Sequence, residues 1–83
     1  MLWYVYALYN RSNHKIYIGQ TGDLKRRIEE HNQKVGNHFT ARVPGHWEVI
    51  YKEQLETKTE ALRREKQLKS YRGRLFIKSY IPR

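Results

Sequence analysis

Two short runs dense in aromatic and β-branched residues, 3–9 and 14–20, are separated by Asn10-Arg11-Ser12-Asn13, a stretch of turn formers. This pattern commits the start of the chain to an antiparallel β-hairpin. An even-length loop centred on that stretch pairs residue i with 23 − i, setting Tyr6 opposite Tyr17 and Tyr4 opposite Gly19. Directly opposed side chains have Cβ atoms about 4.5–5.5 Å apart, so two phenols are expected on one patch of sheet. Val5, Ala7, Ile16 and Ile18 take the other face and are all apolar. Tyrosine is common in strands for packing reasons alone, and that reading stands beside any chemical one.

Thr21-Gly22-Asp23 supplies helix-capping oxygens, and Leu24, Ile28, His31 and Val35 follow at helical spacing, giving an amphipathic helix over about 23–34. Residues 36–46, with Gly36, Asn37, Pro44 and Gly45, read as a loop long enough to suggest function. Trp47, Val49 and Tyr51 alternate with Glu48, Ile50 and Lys52 in a third strand over roughly 46–54. Thr57-Lys58-Thr59-Glu60 matches a capping box that opens a second helix over about 58–71. Gly73 is expected to break that helix, and Leu75, Phe76, Ile77 and Tyr80 suggest a short terminal helix ended by Pro82. The order ββαβαα predicts an α+β fold: a small, mostly antiparallel three-stranded sheet flanked by helices, built as one domain over 1–83.

The charge balance points to a polyanionic partner: 17 Lys+Arg face 8 Asp+Glu, a formal net charge of +9. Lys25, Arg26 and Arg27 form one cluster; Arg63, Arg64, Lys66, Lys69, Arg72, Arg74, Lys78 and Arg83 load the C-terminal third. Nucleic acid suits this better than a membrane surface, because residues 58–71 lack the broad apolar face of an interfacial helix. The bland alternative is a merely solvated basic surface. With no cysteine and no apolar run near the roughly 20 residues a membrane span needs, neither disulfides nor transmembrane segments are expected. The N-terminus lacks the features of a secretory signal, so a cytoplasmic protein is the default expectation; a monomer is expected as well.

Polar residues interrupt both helical stripes. Leu24, Arg27, Ile28 and His31 lie at i, i+3, i+4 and i+7, and Ala61, Leu62, Glu65 and Leu68 form the stripe of the second helix, with Glu65 in its middle. Arg27 could snorkel, and His31 could be an ordinary buried-edge histidine. A carboxylate in an apolar stripe needs an arginine, hydrogen bonds, a metal ion or solvent. Together, two phenols, a cation, an imidazole and a carboxylate on a basic domain form a kit suited to phosphoryl chemistry.

These residues resemble the GIY-YIG nuclease domain. Tyr4-Val5-Tyr6 stands where that family has Gly-Ile-Tyr, Tyr17-Ile18-Gly19 is its second signature unchanged, and Thr21-Gly22-Asp23-Leu24-Lys25-Arg26-Arg27 resembles the segment leading to its catalytic arginine. Glu60-Ala61-Leu62-Arg63-Arg64-Glu65 resembles the helix whose glutamate binds metal, and the compact length is most similar to small stand-alone bacterial members. Two departures stand out. Tyr4 replaces the first glycine, and Ile77-Lys78-Ser79-Tyr80 occupies the interval where many members carry an asparagine.

The resemblance implies a metal-dependent endonuclease with little sequence specificity, in a family that includes DNA-repair enzymes. Tyr6 would be the general base once His31 draws off its proton, and Tyr17 would position water or a phosphate oxygen. Arg27 would stabilise charge on the scissile phosphate, and Glu65 would hold a single Mg²⁺ or Mn²⁺. Lys25, Arg26, Arg27, His38, Thr40, Arg64, Lys69, Arg72 and Arg74 are the candidate contacts to DNA, whether duplex, branched or single-stranded, or to RNA. No small-molecule cofactor is expected. The rival reading is a nucleic-acid-binding module that keeps this architecture and cleaves weakly or not at all.

Overall fold

A computed structural model describes residues 2–34 and 39–82. The elements are β1 (Trp3–Asn10), β2 (Lys15–Thr21), α1 (Leu24–Asn32), α2 (Phe39–Arg42), β3 (Trp47–Leu55), α3 (Lys58–Lys69) and α4 (Tyr71–Lys78). The sheet is three-stranded in the order β2-β1-β3, both pairings antiparallel. The expected α+β architecture is therefore present.

The hairpin register is shifted by two from the expected one: Tyr6 pairs with Gly19, Tyr4 with Thr21, and Leu8 with Tyr17. The cause is Asn10, a turn former by composition that ends β1 instead. Its buried side chain donates to the Pro44 carbonyl at 2.9 Å and accepts from the Asn13 N–H at 3.2 Å. The reversal consequently falls at 11–14, with His14 at φ 55°. A shift of two leaves every side chain on its expected face.

Both faces of the sheet are covered. Val5, Ala7 and Ile18 pack with Ala61, Leu68 and Ile77 from α3 and α4. On the other side Tyr6, Leu8, Val43 and Trp47 pack with Tyr17, Leu24 and Ile28. The regular alternation expected of β3 is interrupted, since Ala7 pairs with Tyr51 and Leu8 with Val49, leaving Ile50 as a bulge. Ile50 and Tyr51 thereby both reach the α3 side.

Two helical expectations change. Within the expected 36–46 loop, Phe39–Arg42 forms α2. The expected 58–71 helix ends at Lys69, and the break is at Ser70, not Gly73. Ser70 is extended (ψ 169°), terminates α3, and caps α4 by accepting from the Gly73 N–H at 3.2 Å. Gly73 lies inside α4, where an added Cβ would come within 2.2 Å of the Gln67 carbonyl oxygen and 2.4 Å of Leu68 Cα. It permits two helices to touch. Among the described residues, no helix is long and apolar enough to cross a membrane.

Candidate active site

Tyr6 belongs to the central strand, yet its hydroxyl arrives over the edge strand because Gly19 opposite has no side chain. A Cβ there would meet Tyr6 Oη at 2.8 Å, Tyr17 Cε2 at 2.9 Å and Tyr6 Cζ at 3.0 Å. The two phenols are diagonal neighbours, their ring centroids 6.2 Å apart. The His31 ring lies 4.8 Å from Tyr17 and 5.8 Å from Tyr6, centroid to centroid.

Tyr6 is fully buried, and its Oη lies 2.8 Å from Nε2 of His31, itself 2% exposed. On the other side of the imidazole, Nδ1 bonds the hydroxyl of Thr40. The loop expected to carry exposed phosphate ligands therefore buries Thr40 completely behind the histidine. Its hydroxyl thus meets the imidazole, and in this structure it is closed off from solvent. Lys34, at φ 59°, ties the same segment together, Nζ donating to the carbonyls of Val43 at 2.9 Å and Gly45 at 2.7 Å. His38 and Val35, both singled out in the sequence, lie outside the described residues.

Burial pushes the Tyr6 pKa well above the usual phenol range, and the Tyr17 phenol adds to the effect. The Arg27 guanidinium opposes both through a hydrogen bond and its charge. For Arg27, burial disfavours the cation, but Tyr6 and Glu30 more than compensate and raise its pKa. Its Nη1 lies 3.3 Å from Glu30 Oε1. The i+3 and i+7 positions of α1, counted from Leu24, thus carry arginine, facing Tyr6, and histidine, bonded to it.

Glu65 keeps a partly buried place with an ion-pair partner, while the apolar stripe around it is narrower than expected. Leu62 is 46% exposed and leaves the stripe, so Ala61 and Leu68 are the buried residues of α3. Glu65 is 18% exposed at its side chain, and Oε2 accepts from Lys69 Nζ at 2.7 Å. Its charge is felt at Tyr6, where it raises the phenol pKa. Among the described residues no group of three or more His, Cys, Asp or Glu could cage a metal ion. One carboxylate is a hard oxygen donor, and Mg²⁺ is commonly held by one or two carboxylates with substrate phosphates and water completing its shell. The donor set fits a cation shared with substrate.

Of the other expected contacts, Lys69 and Arg74 line a groove of ≈ 480 Å³ with His14, Lys15, Ile16, Tyr17, Ile18 and Lys78. The sequence reading missed Lys15 and His14, whose only signal was their place beside Tyr17 on the hairpin. Lys25, Arg26 and Arg72 are exposed elsewhere, Arg26 pairing with Glu30 at 3.5 Å. Arg64 is engaged structurally: Nε donates to Glu53 at 3.0 Å and the guanidinium carbon sits 6.0 Å from the Phe76 ring centroid.

Against known proteins, the family described as GIY-YIG catalytic domain matches residues 2–79. The chain belongs to the GIY-YIG family. UPF0213 proteins of Staphylococcus aureus strains Mu50 and N315 are each 41% identical over 61 residues, covering 72% of this chain and 72% of theirs. The solution NMR structure of a UPF0213 protein from Bacillus halodurans superposes with a TM-score of 0.57 at 32% identity, covering 95% of this chain and 84% of that one. Membership in a nuclease family and the GIY-YIG fold follow; the names of these relatives state no activity. In GIY-YIG terms, the glycine of the second signature is the residue over which the first signature's tyrosine extends.

Proposed function

We propose that this GIY-YIG protein is a divalent-metal-dependent endonuclease that hydrolyses phosphodiester bonds in DNA with little sequence specificity. The observation that carries the reading is the buried relay Tyr6–His31–Thr40 beside Arg27. A phenol with a raised pKa does not ionise near neutral pH, so it acts as a base only if its own proton leaves as it accepts one. His31 is the receiver. With Nδ1–H donating to Thr40 Oγ1, Nε2 is the acceptor for the Tyr6 O–H. Water losing a proton to Tyr6 Oη, as Tyr6 passes its proton to Nε2, becomes the nucleophile without a free phenolate forming. Tyr17 orients that water or a phosphate oxygen, and Arg27 offsets charge growing on the phosphate. Glu65 would hold the Mg²⁺ or Mn²⁺ ion, which supplies Lewis-acid stabilisation at the phosphate and leaving oxygen.

The groove between the hairpin and α4 accounts for affinity through phosphate contacts, which carry no base information. The test is incubation with supercoiled plasmid, single-stranded DNA, branched DNA and RNA, each with Mg²⁺, Mn²⁺ or EDTA. Nicking that requires metal supports the proposal. The Glu65–Lys69 ion pair favours one second reading, a binding module that does not cleave. Salt-sensitive retardation with no nicking under any metal would select it.

A further inference from the structure

The carboxylate assigned to the metal already carries a cation. Glu65 Oε2 and Lys69 Nζ are 2.7 Å apart, the pair one helical turn apart on α3. Lys69 also lines the basic groove, together with Lys15, Tyr17 and Arg74, and Arg74 Nε donates to the Lys69 carbonyl at 3.0 Å. Among the described residues, no acidic side chain lines that groove. A phosphodiester seated there would present oxygens to Lys69.

We propose that Lys69 is a counter-ion that occupies the metal carboxylate in the substrate-free protein and transfers to a nucleic-acid phosphate in the adjoining groove, so that metal and phosphodiester bind cooperatively. The inference rests on the reading of Glu65 as metal ligand. The ammonium neutralises the negative charge that would draw a divalent cation and repels the cation directly. A phosphate removes both effects by accepting the same ammonium. Because linkage is reciprocal, metal raises affinity for the phosphodiester by the same factor. Lys69 is thus a positioning residue, acting through Glu65. It is 48% exposed at its side chain and half of an ordinary i, i+4 pair, so its replacement leaves the fold in place.

The test is Mn²⁺ binding to the free protein, read from the spin-resonance signal of unbound Mn²⁺, with no nucleic acid and no turnover. Lys69→Met is expected to bind Mn²⁺ about tenfold more tightly than the parent, the scale of removing one unit charge a few ångströms from a half-solvated divalent ion. Lys66→Met removes the same charge one residue from Glu65 but on another helical face, and is expected to shift affinity by less than about twofold. Glu65→Gln combined with Lys69→Met should lose the gain. Equal affinities for the parent and Lys69→Met, or equal gains from Lys66 and Lys69, would overturn the counter-ion role while leaving Glu65 as ligand. Retention of the full gain in the double variant would instead remove Glu65 from metal binding, and with it the reading on which the inference rests.

Discussion

At the residue scale, the role proposed for Tyr6 depends on Gly19 and Thr40. Gly19→Ala puts a methyl group 2.8 Å from Tyr6 Oη and 2.9 Å from Tyr17 Cε2, with the Tyr6 phenol itself fully buried. Overpacking of this kind costs about 1–3 kcal/mol, and thermal unfolding should show it, together with loss of cleavage as the phenol is driven from His31. Thr40→Val keeps shape but removes the acceptor for His31, a buried partner loss worth about 1–3 kcal/mol; cleavage should fall with it, whereas DNA affinity should stay. The raised Tyr6 pKa also has a sign in stability. Above about pH 10 an unfolded tyrosine ionises while the folded Tyr6 keeps its proton, so the unfolded state binds fewer protons and stability declines as pH rises. Melting temperatures between pH 9 and 11 should fall more steeply for the parent than for Tyr6→Phe. Parallel slopes would contradict the burial argument.

At the element scale, the α3–α4 junction gives the clearest contest between propensity and packing. Inside an exposed helix, Gly→Ala is worth up to about 1 kcal/mol of stabilisation. At Gly73 the added Cβ meets Gln67 and Leu68 backbone at 2.2 and 2.4 Å, atoms that cannot swing aside. Gly73→Ala should therefore lower the melting temperature, and an unchanged or higher value would refute the close approach. Local sequence signals explain what was legible here. Alternation and capping residues marked both hairpin strands, the third strand and the α3 start, because Thr57 accepts from the Glu60 N–H at 3.1 Å as its spacing implies. Tyr6, Tyr17, Arg27 and His31 were legible as a group because helix periodicity fixes the face of α1 and a register shift of two leaves the strand faces unchanged. Hidden were features set by distant partners: Asn10 leaves the turn because Pro44 receives it, Ile50 bulges to reach the α3 core, and Thr40 is buried by His31. Lys69 on Glu65 was readable as an i, i+4 pair, though its place in the groove depends on α4 folding back.

At the scale of the whole molecule, binding and cleavage separate. In the proposed reading the net charge of +9 supplies affinity for polyanions, and the groove concentrates Lys15, Lys69, Arg74 and Lys78 beside Tyr17. Replacing Lys15, Arg74 and Lys78 together should weaken binding to all DNA sequences alike and flatten the log–log salt dependence by about 0.9 for each duplex phosphate no longer neutralised; an unchanged slope would place the nucleic acid on another face. In the proposed mechanism, cleavage rests on the Tyr6 hydroxyl. The most direct measurement is the single-turnover cleavage rate of Tyr6→Phe against the parent at saturating Mn²⁺ and DNA, with affinity and melting temperature recorded in parallel. A rate at least ~10²-fold lower, the range for loss of a general base, with binding retained and the fold intact, is the predicted result. Cleavage at the parental rate would make the Tyr6–His31–Thr40 relay a packing feature and contradict its catalytic role.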